Sequence, residues 1–104
     1  MKAGFYEIDI TPRVGVPLCG FGPFLNRYSV GVRDILKARA AAFQLGKSKA
    51  VIISCDLIGL SAELVIHIKK RISAETDLSP ENIMLHCTHT HSGPNTGNYL
   101  GWGK

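Results

Sequence analysis

Two histidines, His89 and His91, stand two positions apart at the end of an apolar run, in the sequence LHCTHTHSGP of residues 85–94. Residues 82–85 are typical of a buried strand, and in a strand residues two apart point to the same face. We therefore expect both imidazoles to project side by side, with His86 pointing to the other face. Imidazole is a common ligand of divalent metal ions, so the pair predicts part of a zinc site. A tetrahedral zinc site takes three or four protein ligands, so the others must come from elsewhere in the fold.

The elements before this pair predict that an acid reaches the same place. Residues 51–55 form an apolar run typical of a strand covered on both faces, within a predicted strand at 50–56, and residues 61–75 follow as a helix with Ser61 at its N-cap. With a strand at 82–89, this is a β-α-β unit, whose strands are parallel and whose crossover is almost always right-handed. Ligands gather beyond the carboxyl ends of such strands. Asp56 is therefore expected near the histidines, either hydrogen-bonded to a metal-binding imidazole or bracing the helix or a backbone turn.

The rest of the chain predicts a mixed sheet. Residues 4–10 alternate loosely and read as a strand that ends at Thr11-Pro12. Residues 36–45 are rich in alanine, which favours a helix, but Gly46 marks a hairpin turn into the next strand. We therefore expect 36–45 to be a strand, antiparallel to 50–56. The predicted fold class is α/β (α+β), with one mixed sheet, a right-handed β-α-β unit and at least one packed helix, whose buried stripe is Leu64, Val65, Ile68 and Ile72.

A long irregular loop is predicted between the first two strands. Residues 12–34 contain four glycines and three prolines, a density that interrupts regular structure. Loops of this length are uncommon in compact domains and are often functional. We expect the segment Gly20, Phe21 and Gly22 to form a wall of the substrate cleft.

Composition restricts the class of protein. The 104 residues are enough for one domain, and they carry a net charge of +4. The main basic cluster, residues 69–71, falls on the polar side of the predicted helix without interleaved aromatic residues, so we expect no nucleic-acid binding. Three cysteines without a CxxC pair predict reduced thiols. The chain shows no signal-peptide stretch and no run long enough to span a membrane, so the expected compartment is the cytoplasm.

The motifs, taken in order, resemble a known family. THTHSGP at residues 88–94 resembles the signature of the neutral/alkaline (non-lysosomal) ceramidases. Weaker matches precede it in the family's order: DITP at 9–12, GFG at 20–22, ILKARAAAF at 35–43 and VIISCDLIGLS at 51–61.

The resemblance implies zinc-dependent hydrolysis of an N-acyl amide bond, that of ceramide or a related lipid. The position that matches His89 is a zinc ligand in that family, and the one that matches His91 is a catalytic residue beside the metal and the substrate. The family's other zinc ligands lie beyond residue 104. The resemblance therefore covers the N-terminal part of a larger catalytic domain, and we expect an incomplete site and no activity in residues 1–104 alone.

Other interpretations use the same residues. Barrel-type metal-dependent hydrolases also carry two histidines at a strand end, but they need eight strand–helix units and this chain offers one. A small non-enzymatic α/β module that binds metal weakly or binds a partner is the main alternative. Ser92 is a poor candidate nucleophile, because it lies in a Ser-Gly-Pro turn and not in a GxSxG elbow.

Overall fold

The computed structural model describes residues 1–20 and 27–96 of the chain. Within these ranges the fold is a four-stranded mixed sheet with one α-helix, and a second, two-stranded sheet beside it. The elements in chain order are β1 (Lys2–Asp9), β2 (Leu18–Cys19), β3 (Lys37–Leu45), β4 (Ser48–Cys55), α1 (Ala62–Glu75), β5 (Ile83–Cys87) and β6 (Gly93–Pro94). A single 3₁₀ turn, Pro80–Asn82, precedes β5. The larger sheet has the strand order β1-β3-β4-β5.

The alanine-rich segment is a strand, as the turn signal predicted. β3 and β4 are antiparallel and joined by a tight turn, so that Leu45 lies opposite Ser48. Gly46 in this turn has a φ of +61°, a left-handed conformation that glycine adopts without a steric penalty. β1 pairs antiparallel with the other edge of β3, and Glu7 on β1 forms ion pairs there with Lys37 and Arg39.

The β-α-β unit is also present. Ser61 is the N-cap of α1, and its hydroxyl accepts a 3.2 Å hydrogen bond from the backbone nitrogen of Leu64. α1 leads into β5, which is parallel to β4 and its direct neighbour, with Cys55 opposite Cys87. The carboxyl ends of β4 and β5 therefore lie at the same edge of the sheet. The predicted helical stripe is half-buried: Leu64, Val65, Ile68 and Ile72.

The two faces of the sheet are covered to different extents. Val51 and Ile83 are register partners with exposures of 7% and 2%, whereas their chain neighbours Ile52 and Met84, partners on the opposite face, are 43% and 59% exposed. Helix α1 connects these two strands. The prediction that β4 is covered on both faces is therefore wrong for the described residues.

A short strand within the predicted irregular loop connects it to the histidine segment. β2 is antiparallel to β6 and places Cys19, which is fully buried, opposite Gly93. The backbone nitrogen of Asn95 also donates to the Pro17 carbonyl at 3.1 Å. The predicted loop, residues 12–34, is thus attached to the chain directly after the histidines. Among the described residues, no helix has the length and apolar character needed to cross a membrane.

Candidate functional site

His89 lies just beyond the end of β5 and is held by backbone carbonyls. Its backbone nitrogen donates to the Leu57 carbonyl at 2.9 Å, and its ring Nδ1 lies 2.8 Å from the Ile58 carbonyl oxygen. A carbonyl oxygen can only accept, so Nδ1 carries the proton and donates. In the neutral ring this leaves a lone pair on Nε2, the arrangement that metal-binding histidines use. Leu57 and Ile58 are both buried, which fixes the position of the two carbonyls.

The next backbone carbonyl, that of Gly59, also accepts a hydrogen bond from the segment that follows the histidines. The hydroxyl of Thr96 donates to the Gly59 carbonyl at 2.7 Å. We call the backbone carbonyls of Leu57, Ile58 and Gly59 the carbonyl cradle. The cradle follows directly after β4, so the carboxyl end of that strand orients the histidine segment through its backbone.

His91 lies beside His89, but not because the two residues share a strand. Strand β5 ends at Cys87, so neither histidine belongs to it. His89 has a φ of +63°, which costs a residue other than glycine roughly 1–2 kcal/mol. The two ring centroids are nevertheless 4.9 Å apart, with the ring planes inclined at 68°. Turn geometry and the carbonyl cradle therefore produce the proximity that we expected from strand alternation.

His86 is separate from this pair. It lies within β5, opposite Ser54 of β4, and its Nδ1 is hydrogen-bonded to the Ser54 hydroxyl at 2.9 Å. This places it on the uncovered face of the sheet, in the same register row as Arg39 of β3. His86 is thus occupied by a cross-strand contact within the sheet.

The glycine-rich loop packs on His91. Gly20 is buried with a φ of +113°, and a β-carbon on it would lie 2.6 Å from the β-carbon of His91. Arg27 donates from Nη2 to the backbone carbonyl of His91 at 2.9 Å. The loop therefore borders the histidine pair at Gly20, while Phe21 and Gly22 lie outside the described residues.

Asp56 lies at the end of β4, and its carboxylate is directed toward β3. Oδ2 accepts a 3.0 Å hydrogen bond from the backbone nitrogen of Lys37 and lies 3.6 Å from Nη1 of Arg39. Its backbone carbonyl is the part that faces the histidine segment, 3.6 Å from where a β-carbon on Gly93 would be. The hydrogen-bond partner of His89 is the Ile58 carbonyl, and the structure does not join the Asp56 carboxylate to a histidine.

The described residues contain no cluster of three or more histidine, cysteine or acidic side chains that could hold a metal ion. The cysteines do not complete one, because all three are free thiols and their pKa values are raised, in each case mainly by burial. Neutral thiols are poor zinc ligands. His89 could therefore fill one position in a metal site, which the described residues do not complete.

A half-open cavity of about 510 Å³ lies along the histidine segment. Thr90 and Ser92, which alternate with the histidines, contribute to its lining. The other walls come from the predicted loop and are largely apolar, with Val16, Leu18, Val32 and Leu36. Its volume lies within the range of small-molecule sites.

Sequence reasoning missed two parts of this site. The Ile58 carbonyl has no signature, because a backbone acceptor is supplied by every residue type. Arg27 is one of three arginines in the predicted loop, and nothing in the sequence connects it to His91, 64 positions later.

Comparisons with protein-family models and with curated protein sequences find no match. Among solved structures, the chain is similar to neutral ceramidase from Pseudomonas aeruginosa, with a TM-score of 0.80 and 28% sequence identity over 89% of this chain. A ceramidase complexed with C2 gives the same values. The chain spans 15% of the length of each of these proteins. The resemblance indicated by the sequence motifs is thus confirmed at the level of structure: the fold of this chain is similar to that of a part of neutral ceramidase.

Proposed function

We propose that this chain supplies one zinc ligand, His89, and one catalytic residue, His91, to a ceramidase-like amidohydrolase that cleaves the N-acyl bond of a lipid amide. The observation that carries the proposal is the hydrogen bond from His89 Nδ1 to the Ile58 carbonyl. It leaves Nε2 as the metal-binding atom on an exposed ring, with the His91 ring beside it.

Each histidine has a separate role in this proposal. A zinc ion bound at His89 would supply a Lewis acid that polarises the amide carbonyl and lowers the pKa of a bound water. The His91 ring centroid lies 4.9 Å from that of His89, close enough for His91 to accept a proton from the attacking water or to donate one to the leaving amine. In its protonated form it could also stabilise the negative charge that develops on the carbonyl oxygen.

The lipid class of the substrate is supported by two observations. The structural neighbours are ceramidases, and the cavity beside Thr90 and Ser92 has largely apolar walls. An acyl chain is an apolar ligand that such a cavity could take. The remaining zinc ligands would come from polypeptide beyond these 104 residues, so we expect no hydrolysis of N-acylsphingosine by this chain alone.

The test is a zinc titration of the chain, monitored by the NMR signals of the histidine ring nitrogens. Zinc is expected to shift the NMR signal of His89 Nε2. The affinity for zinc should be low, because one or two histidines do not fill a tetrahedral site. His89→Ala is expected to abolish the response, and His86→Ala, a matched control in the same segment, to leave it unchanged. A zinc response that survives in His89→Ala contradicts the proposal. In a longer polypeptide that supplies the other ligands, His89→Ala should abolish both zinc binding and hydrolysis.

A non-enzymatic interaction module is the second candidate. It is favoured by the uncovered sheet face, where Phe5, Ile52 and Met84 are 77%, 43% and 59% exposed. Large exposed apolar patches are common at interaction sites. The two functions are distinguished by the zinc titration, since an interaction module predicts no selective response at His89.

A further inference from the structure

We propose that Gly20 and Arg27 are positioning residues for His91, which hold its backbone so that its ring stays beside that of His89. The proposal rests on the function proposed for the two histidines, but it concerns their geometry and can be tested without zinc or substrate. It assigns to the glycine-rich loop a role that is distinct from binding substrate.

Gly20 is in contact with the backbone of His91. A β-carbon on Gly20 would lie 2.6 Å from Cβ, 2.7 Å from Cγ and 2.8 Å from Cα of His91. Distances below 3.0 Å require something to move, and these atoms belong to the backbone and the root of the side chain. A larger residue at position 20 would therefore displace His91 as a whole. Only glycine permits the loop to lie this close while adopting a φ of +113°.

Arg27 also holds His91, through the backbone carbonyl of His91. Its Nη2 donates to the His91 carbonyl at 2.9 Å and lies 3.5 Å from the Gly20 carbonyl. A hydrogen bond from a charged donor is stronger than one between neutral groups. Arg27 itself is placed by the backbone of the loop, where its carbonyl accepts from the Leu18 nitrogen at 2.8 Å. One guanidinium thus connects the two segments at the point where they pack together.

His91 depends on these contacts because β5 has already ended. The strand stops four residues before His91, and His89 between them has a positive φ, outside the strand conformation. The carbonyl cradle fixes the ring of His89 directly, through Ile58. For His91, the loop contacts act on the backbone, so the 4.9 Å spacing of the two rings should depend on them.

The experiment measures the nuclear Overhauser effect (NOE) between the His89 and His91 ring protons in the isotope-labelled chain. Gly20→Ala and Arg27→Met are expected to abolish this NOE while the cross-strand NOEs of β3, β4 and β5 remain. Gly15→Ala is the matched control for backbone strain, since Gly15 has a φ of +101° but open space around its β-carbon position. It should lower the melting temperature by about 4–8 °C and leave the ring NOE intact.

The control for Arg27→Met is Arg33→Met, which removes an exposed arginine of the same loop. Arg27→Lys keeps the charge with a shorter reach and is expected to restore the ring NOE in part. If Gly20→Ala or Arg27→Met does not fold, the wild-type chain still provides a test, through the NOE between the Gly20 α-protons and the His91 ring. Its absence overturns the proposal, as does an unchanged His89–His91 NOE in the two folded variants.

The result is distinguishable from failure of the proposed function. A wild-type chain that shows the ring NOE but no zinc response at His89 would refute the proposed function and leave the positioning role intact. A zinc response together with a ring NOE that is insensitive to both variants would refute the positioning role alone.

Discussion

Asp56→Ala is expected to destabilise the sheet without changing the affinity of His89 for zinc. The Asp56 carboxylate accepts from the Lys37 backbone nitrogen at 3.0 Å and lies 3.6 Å from the Arg39 guanidinium. It therefore joins the end of β4 to the beginning of β3. His89 has its own hydrogen-bond partner in the Ile58 carbonyl.

The size of the effect follows from these contacts. A hydrogen bond to a charged acceptor contributes about 1.5–3 kcal/mol. The Arg39 contact adds about 0–1 kcal/mol, because the arginine side chain is 52% exposed and largely screened by solvent. We expect Asp56→Ala to cost about 2–3 kcal/mol in the free energy of unfolding. Asp56→Asn, whose amide oxygen still accepts from Lys37, should cost about 1 kcal/mol.

The assay combines urea unfolding, followed by circular dichroism, with the zinc titration of His89. Asp34→Ala is the matched control, because Asp34 is exposed and makes no hydrogen bond or ion pair with any residue in the described ranges. It should change neither measurement. A metal affinity that falls about 10- to 100-fold in Asp56→Asn with unchanged stability would refute the structural role and show that Asp56 supports a metal-binding histidine.

Two further predictions concern the sheet. Ile83→Ala removes a side chain that is 2% exposed and should cost about 2–5 kcal/mol, whereas Met84→Ala, 59% exposed, should cost about 1 kcal/mol in urea unfolding; equal losses would contradict a core on one face. The pKa of Glu7 is lowered by its hydrogen bond to Lys37 and by the charges of Lys37 and Arg39. Its contribution to stability is therefore present above the ordinary pKa of 4.5 and lost as the pH falls through its lowered value. The melting temperature of Glu7→Gln, measured from pH 7 to pH 3, should depend less on pH than that of the wild type, and parallel curves would contradict this role.

Local chemistry was sufficient to predict the elements of the sheet. The β3–β4 hairpin follows from a turn that needs a positive φ, which Gly46 supplies. The start of α1 follows from the capping hydroxyl of Ser61. The parallel pairing of β4 with β5 follows from the length of the helical connection between them. Each of these features is decided by residues close together in the chain.

The environment of the sheet and the geometry of the site are decided by distant residues. An apolar run at 51–55 predicts burial but not which polypeptide covers each face, and in the described chain Ile52 remains exposed. The positive φ of His89 is equally unpredictable from its own side chain, because it depends on acceptors from another segment. The approach of Gly20 to His91 depends on a two-residue strand pairing, too short to give a periodic pattern.

The use of backbone carbonyls to orient His89 has a physical consequence for the proposed metal site. A carboxylate partner could be protonated or replaced, and either change would alter the tautomer of the imidazole. The Ile58 carbonyl has no titration in the physiological range, and a side-chain substitution does not remove it. Its position is set instead by the burial of Leu57 and Ile58, which are 8% and 6% exposed. The orientation of Nε2 should therefore be sensitive to packing, so that truncating the Ile58 side chain would weaken the response of His89 in the zinc titration without removing any polar group.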